Sequence, residues 1–160
     1  MFKVEFLGST DKDPVFRNET KFGVISFCKS INWLQQLTAF FTAYRSKGDE
    51  DTTQNDFWYL SITHPKDKSN LLVFTEDIDE DEITAPNLRF VVVYTWEELR
   101  EKGWLGKLFG SDEMKTVEQA RHLPKASYAD MMDAITHFVN EDMVRLPALL
   151  NYEGDPYDHS

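Results

Sequence analysis

The sequence predicts an α+β fold, an antiparallel sheet of about four strands packed against three to four helices. Apolar residues alternate over residues 2–7, and aromatic and β-branched residues crowd into two further runs, 57–63 and 71–75. They recur instead at helical spacing over 24–44 and 128–139. The resulting order, one strand, a helix, three strands and then helices, lacks the regular β-α-β alternation of a parallel doubly wound sheet.

Phe2, Val4 and Phe6 alternate with Lys3, Glu5 and Leu7, which marks a half-buried first strand. Residues 11–20 read as a polar loop around Asp13-Pro14. Val24, Phe27, Ile31, Leu34, Phe41 and Tyr44 then give a helix, with Gly48 as its C-cap behind Arg45 and Lys47. Its start falls near Phe22, or else residues 22–28 are a strand and the helix is capped at Ser30. Residues 49–56 form an acidic loop. The runs 57–63 and 71–75 make a hairpin across the turn-rich residues 64–70. Pro86-Asn87 leads into residues 88–94, whose near-continuous apolar character fits a central strand.

Thr95-Trp96-Glu97-Glu98 matches a capping box and predicts a short helix ending near Gly103. Ser111 can cap another helix up to His122, stopped by Pro124. Ser127 can cap the last clear helix, where Tyr128, Met131, Met132, Ile135, Phe138 and Val139 form an apolar stripe. Residues 143–150 add a further turn broken at Pro147. Residues 1–152 read as one α+β domain, and 153–160 as a polar, flexible tail.

A chain of 160 residues that is 41% hydrophobic and 14% aromatic has ample material for a core. No apolar run approaches the roughly 20 residues that a membrane helix needs, and the alternating N-terminus has no signal-peptide character. Cys28 is the sole cysteine, so no intramolecular disulfide can form. These features predict a cytoplasmic protein.

The formal net charge is -11, and it is unevenly spread. Residues 1–48 carry a net +3, residues 49–96 a net -8, residues 97–125 balance, and residues 126–160 carry -6. Glu76, Asp77, Asp79, Glu80, Asp81 and Glu82 pack six carboxylates into seven residues, and without them the chain would stand at -5. Duplex DNA and anionic lipid attract cationic surfaces, so direct nucleic-acid or membrane binding is disfavoured and a basic protein partner is favoured. The bland reading of the run is a solvated loop that aids solubility; the functional one is an interaction segment.

Other chemistry fits poorly. Asp77-x-Asp79-x-Asp81 opens like a calcium loop, but Glu82 stands where the turn needs Gly and Leu88 where a bidentate Glu is needed. The pattern Asp49-x-Asp51-x-Thr53 fails in the same way, at Gln54 and Leu60. One Cys and four scattered His, at 64, 122, 137 and 159, do not make a zinc site. His137 reads as a packed surface histidine and Cys28 as a buried, inert thiol. Ser26 and Ser61 lack a nucleophile elbow, and Gly103, Gly106 and Gly110 are too spread for a phosphate cradle. The Trp104–Phe109 stretch reads as a core-facing connector rather than a membrane contact. No cofactor and no metal are expected.

Phe57, Trp58 and Tyr59 are consecutive, so a strand there points aromatics to both faces. Packing on both faces is the plain reading; an exposed Trp58 beside the acidic run would be a protein-binding anchor. In its acidity and size the chain resembles small bacterial immunity proteins in character, with no motif behind the likeness. The expected function is a non-enzymatic binding module that uses Glu76–Glu82 and Trp58 to occlude a basic site on a partner, such as a toxin or a nucleic-acid-binding enzyme. The alternatives are a small enzyme with dispersed acid–base groups, and a structural or adaptor subunit whose acidity serves solubility.

Overall fold

Period-two alternation sets which residues the sheet buries, and the helices follow from that. In the computed structural model the described residues are 1–9, 11–47, 58–75, 87–101 and 114–152. They form β1 (Phe2–Leu7), β2 (Val15–Glu19), α1 (Lys21–Ser30), α2 (Trp33–Lys47), β3 (Tyr59–Thr63), β4 (Asn70–Thr75), β5 (Phe90–Glu101), β6 (Met114–Ala126), α3 (Tyr128–Val139) and α4 (Arg145–Leu149). The fold is α+β, with a six-stranded antiparallel sheet in the order β2-β1-β3-β4-β5-β6 and four helices among the described residues.

Phe2, Val4 and Phe6 share one face with Leu60, Ile62, Leu71, Val73, Phe90, Val92 and Tyr94. All are buried, and they form one cluster with Val24 and Cys28 of α1, Trp33 and Leu37 of α2, the α3 stripe, and Leu146 of α4. Each fully buried side chain of this size contributes roughly 1.5–3 kcal/mol. The opposite face holds a second, smaller cluster of Phe74, Val91 and Val93 with Tyr59 and Leu72.

The first strand and the Ser127-capped helix lie where the sequence predicts them; the hairpin forms as predicted with strands 59–63 and 70–75 in place of 57–63 and 71–75, and the central strand begins at 90 rather than 88. The Ser127 hydroxyl accepts from the Asp130 amide, and Asp130 accepts in return from the Ser127 amide, a complete capping box. The stripe of α3 is buried from Met131 to Val139, whereas Tyr128 at its start is 40% exposed.

The sequence reading is corrected at four places. Residues 15–19 are the strand β2, not loop, paired in register from Phe2↔Glu19 to Phe6↔Val15; its exposed side chains hide it from a burial pattern. The helical stretch is two helices. Thr20 caps α1 at Gly23, Ile31 takes extended backbone, and the Asn32 side chain accepts from the Gln35 amide to restart the chain as α2. Ser30 ends α1 rather than capping a helix, its hydroxyl donating to the Phe27 carbonyl. Gly48 lies outside the described residues.

The other two corrections concern the described parts of Thr95–Gly103 and Ser111–His122; Gly103 and Ser111 themselves lie outside the described residues. Residues 95–101 continue β5, and 114–126 are β6, paired with it from Phe90↔Ala126 to Glu101↔Met114. Trp96 stacks on Tyr94 at 4.9 Å and donates from its Nε1 to Glu98 at 2.9 Å. Such i,i+2 contacts join residues on one face of a strand and are not neighbours on a helix. Pro124 does not stop a helix; it sits in a bulge. Between Phe90↔Ala126 and Val92↔Leu123 the β6 chain carries an extra residue, and Lys125 adopts φ 55° there. A bulge is where a strand tolerates a proline, because the ladder needs no amide from it. Pro147 likewise falls in the first turn of α4, where its missing N–H is not needed.

Phe138 is fully buried and meets Phe2, His64 and Tyr94 at ring-centroid distances of 5.9–6.2 Å. Phe138→Ala is expected to lower unfolding free energy by about 3–5 kcal/mol, through lost transfer energy and the cavity left behind. Tyr128→Ala, at the exposed end of the same stripe, is expected to cost under about 1 kcal/mol. Urea denaturation of the two variants checks both, and a small Phe138 effect would refute this packing.

Candidate functional site

The acidic sequence flanks the β3–β4 hairpin along the chain. Leu7 pairs with Tyr59 and Tyr59 with Phe74, and Thr75 pairs with Phe90. The chain therefore enters β3 and leaves β4 at the same end. The sequence before β3 carries Asp49, Glu50, Asp51 and Asp56, and the sequence after β4 carries Glu76, Asp77, Asp79, Glu80, Asp81 and Glu82. All ten carboxylates lie outside the described residues, as do the Trp104–Phe109 stretch and the 153–160 tail.

Trp58 is described, and it corrects the anchor reading. It is 1% exposed, with its ring 5.3 Å from Trp33 and 6.2 Å from Phe90. Its side chain takes the helix-facing side with Leu60 and Ile62, so it belongs to the core and not to a binding surface.

The described residues bring together a polar cluster that the sequence reading missed. His64 is buried, 4% exposed. Its Nε2 lies 2.9 Å from the Glu141 carboxylate and its Nδ1 3.1 Å from Asp67. Lys66 Nζ reaches the same Glu141 oxygen at 3.3 Å, and Asp67 accepts from the Ser69 amide and hydroxyl. The β3–β4 turn is thus tied to the chain leaving α3. The signal was present in the period-two pattern: positions 58, 60, 62 and 64 share one face, so His64 must point inward.

Glu141 is held there against a local cost. It follows the C-cap Asn140 with φ 58°. Its amide bonds to Phe138 O and the Asp142 amide to His137 O, at 3.1 and 2.9 Å. This is a Schellman ending, and its left-handed position is usually glycine. A residue with a Cβ is disfavoured there by roughly 1 kcal/mol.

The electrostatics follow the contacts. The hydrogen bond from His64 and then the Lys66 ammonium hold the Glu141 carboxyl below its ordinary value. Burial pushes Asp67 up, but the Ser69 hydroxyl and amide, the His64 charge and its own amide outweigh this and leave it lowered. On the opposite sheet face Tyr59 donates to Glu5, which together with burial pushes its hydroxyl up to about 12.

A depression of about 340 Å³ lies beside the cluster, lined by Met1, Phe2, Thr20, Lys21, His64, Pro65, Lys66 and Glu141. Both ring nitrogens of His64 already face carboxylates, so the group acts as a clamp and presents no free nitrogen to that space. His137 is half-buried, with Asp142 at 3.6 Å from beyond the helix end. Among the described residues no group of three His, Cys, Asp or Glu side chains is placed to hold a metal ion. No helix among them is long and apolar enough to cross a membrane. Cys28 is buried, and burial pushes its thiol up to about 12.

No known protein family, curated protein or solved structure matches this chain.

A carboxylate whose folded value is depressed stabilises the fold above its unfolded value of about 4.3 and ceases to do so as pH falls through the folded one. Glu141→Gln is therefore expected to be less stable than the parent at neutral pH, with the gap narrowing steadily below about pH 5. Urea midpoints of both proteins between neutral and strongly acidic pH check this; a gap independent of pH would deny the ionic clamp. Cys28 is expected to label slowly in the native state, since a thiol at about 12 is ionised in about one molecule in ten thousand at pH 8. Stoichiometric labelling within minutes, at a rate matching the unfolded chain, would contradict its burial.

Proposed function

We propose that this chain is an acidic, non-enzymatic binding module that occludes a basic site on a partner protein. The partner class that fits is a toxin nuclease or another nucleic-acid-binding protein, whose site must be cationic to attract phosphates. An immunity or inhibitor protein and a DNA mimic are forms of this one role. The observation that carries the reading is the charge. The chain stands at -11, and six of its carboxylates occupy seven consecutive residues between two paired strands. Charge concentrated in this way speeds encounter and selects among partners more than it deepens affinity. Trp58 has no part in the reading, because it is core.

The rival reading, a small enzyme, draws on His64 between Asp67 and Glu141 beside a depression. The engagement of both ring nitrogens favours a structural role for that cluster. An adaptor whose acidity serves only solubility predicts no salt-sensitive partner.

The partner is to be isolated from the native host on immobilised protein and its binding then measured with purified components. The association rate is expected to fall with added salt, since exposed charges are screened over about 8 Å at physiological ionic strength. Replacing Asp77, Asp79, Glu80 and Asp81 by Asn or Gln is expected to slow association more than it speeds dissociation. Binding is expected to survive exhaustive chelation and thiol blocking. An unchanged association rate in the quadruple variant would remove the acidic run from the function, and loss of binding on chelation would move the assignment to a metal-dependent activity.

A further inference from the structure

The two ring nitrogens of His64 meet different demands. Nε2 faces the Glu141 carboxylate at 2.9 Å. An ionised carboxylate accepts and never donates, so Nε2 carries a proton whether the ring is charged or neutral. Nδ1 is asked for two opposite things. It lies 3.1 Å from Asp67 Oδ1, an acceptor, and the Lys66 amide donates to it at 3.3 Å. A ring nitrogen donates with its proton and accepts without it, and it cannot do both. The ring is buried, so bulk water does not stand in for the partner left out.

We propose that the β3–β4 turn is a pH-sensitive switch with two hydrogen-bonded settings, selected by one proton on His64 Nδ1. With the proton, Nδ1 donates to Asp67 and an imidazolium is held between two carboxylates. Without it, Nδ1 accepts from the Lys66 amide, and the Asp67 oxygen, now facing a lone pair, draws back. Nε2–H stays on Glu141 in both settings. The proton is exchanged with solvent through the depression that His64, Lys66 and Glu141 line. The turn keeps its shape through side-chain bonds rather than local preference. Lys68 stands at φ 59°, a conformation disfavoured for a residue with a Cβ, while the Ser69 amide and hydroxyl hold Asp67 at 3.0 and 2.8 Å. A change of partner at Nδ1 therefore bears on the whole turn and on its grip on the chain leaving α3.

The groups around the ring come from every element packed against it. Asp67 in the turn and Glu141 beyond α3 favour the charged ring. The Lys66 ammonium, 3.3 Å from Glu141, opposes it, as do Lys21 of α1 and the amino terminus at Met1, residues that line the same depression. Phe2 of β1 and Phe138 of α3 present uncharged rings at 5.3 and 6.2 Å. Tyr94 of β5 acts through Ser69, to which its hydroxyl is bonded. Both carboxylates are held below their ordinary values, so they stay ionised above about pH 5. Between there and about pH 8, the range in which histidines ordinarily change charge, the ring is the member of the cluster left to switch.

Proton–nitrogen NMR of the isotope-labelled whole chain, titrated from about pH 8 to about pH 5, reads both ring nitrogens and the turn amides together. His64 is assigned through its own backbone amide, which separates it from His137 beside Asp142. At the upper end the ring is expected to be neutral, with the proton on Nε2 and Nδ1 bare. At the lower end both nitrogens are expected to be protonated. Over the same interval the Lys66 amide is expected to lose its hydrogen bond and to exchange about fivefold faster, after correction for the intrinsic rate, while the Ser69 amide keeps its protection. Asp67→Asn retains an oxygen for the Ser69 bonds but removes the charge, and is expected to move the change at His64 to lower pH; circular dichroism establishes that it is folded. The parent titration needs no variant and decides the proposal alone. A ring that keeps one charge state across the range overturns it, as does a neutral ring with its proton on Nδ1. A Lys66 amide indifferent to the charge of the ring, or a folded Asp67→Asn protein whose His64 changes charge at the parental pH, overturns it equally.

Discussion

Trp33 is the side chain on which the described layers converge. It opens α2, and its indole N–H donates to the Cys28 carbonyl at 3.1 Å, satisfying one of the acceptors that the end of α1 leaves without a helical partner. Its ring lies 5.3 Å from Trp58, 5.6 Å from Phe90 and 6.3 Å from Phe6. One residue thus joins the two N-terminal helices to each other and then to β1, to the chain entering β3, and to β5. The break at Ile31-Asn32 follows from it. A continuous helix would carry residue 33 past the end of α1, whereas the extended turn folds it back so that its edge caps and its face fills the core.

The elements that the sequence made legible are those whose burial pattern is local. In β1, β3 and α3 the inward positions are apolar and most of the outward ones polar, so period alone distinguishes strand from helix. β2 was hidden because nothing along it is buried; it is a strand only by its hydrogen bonds to β1, and those are long-range information. Beyond Thr95, β5 pairs with β6 and no longer with β4. In that two-stranded part each residue has one neighbour strand, Leu99 stays 67% exposed, and alternation fades. Thr95-Trp-Glu-Glu98 then fits a capping box as well as it fits a strand, and pairing decides between them.

The candidate site divides in the same way. A block of like charge is visible in any linear reading, so Glu76–Glu82 needed no structure to be noticed. Trp58 needed one, because consecutive aromatics on a strand must go to opposite faces and only the fold decides which of them is covered. The His64 clamp joins residues 77 positions apart. Inward-pointing alternation gave His64 its direction, but its partner Glu141 stands in a left-handed turn where sequence expects glycine, so no local rule would have nominated it.

That disfavoured turn has a physical rationale in the charge of the whole molecule. A net -11 opposes compaction through self-repulsion, and adding a carboxylate at residue 141 would by itself make this worse. Set against His64 and Lys66 it does the reverse, since it replaces solvent around a buried imidazole with a fixed acceptor and ties the β3–β4 turn to the end of α3. Lys66, and at longer range Lys21, add their charge to that of His64 around Glu141. The acidic sequence precedes β3 and follows β4 along the chain. The clamp is built from His64, Lys66, Asp67 and Glu141, which stand apart in sequence from the run Glu76–Glu82. On the proposed reading the carboxylates that draw a basic partner are those of Glu76–Glu82, and the pairs that hold the fold at His64 are not the ones that the partner competes for.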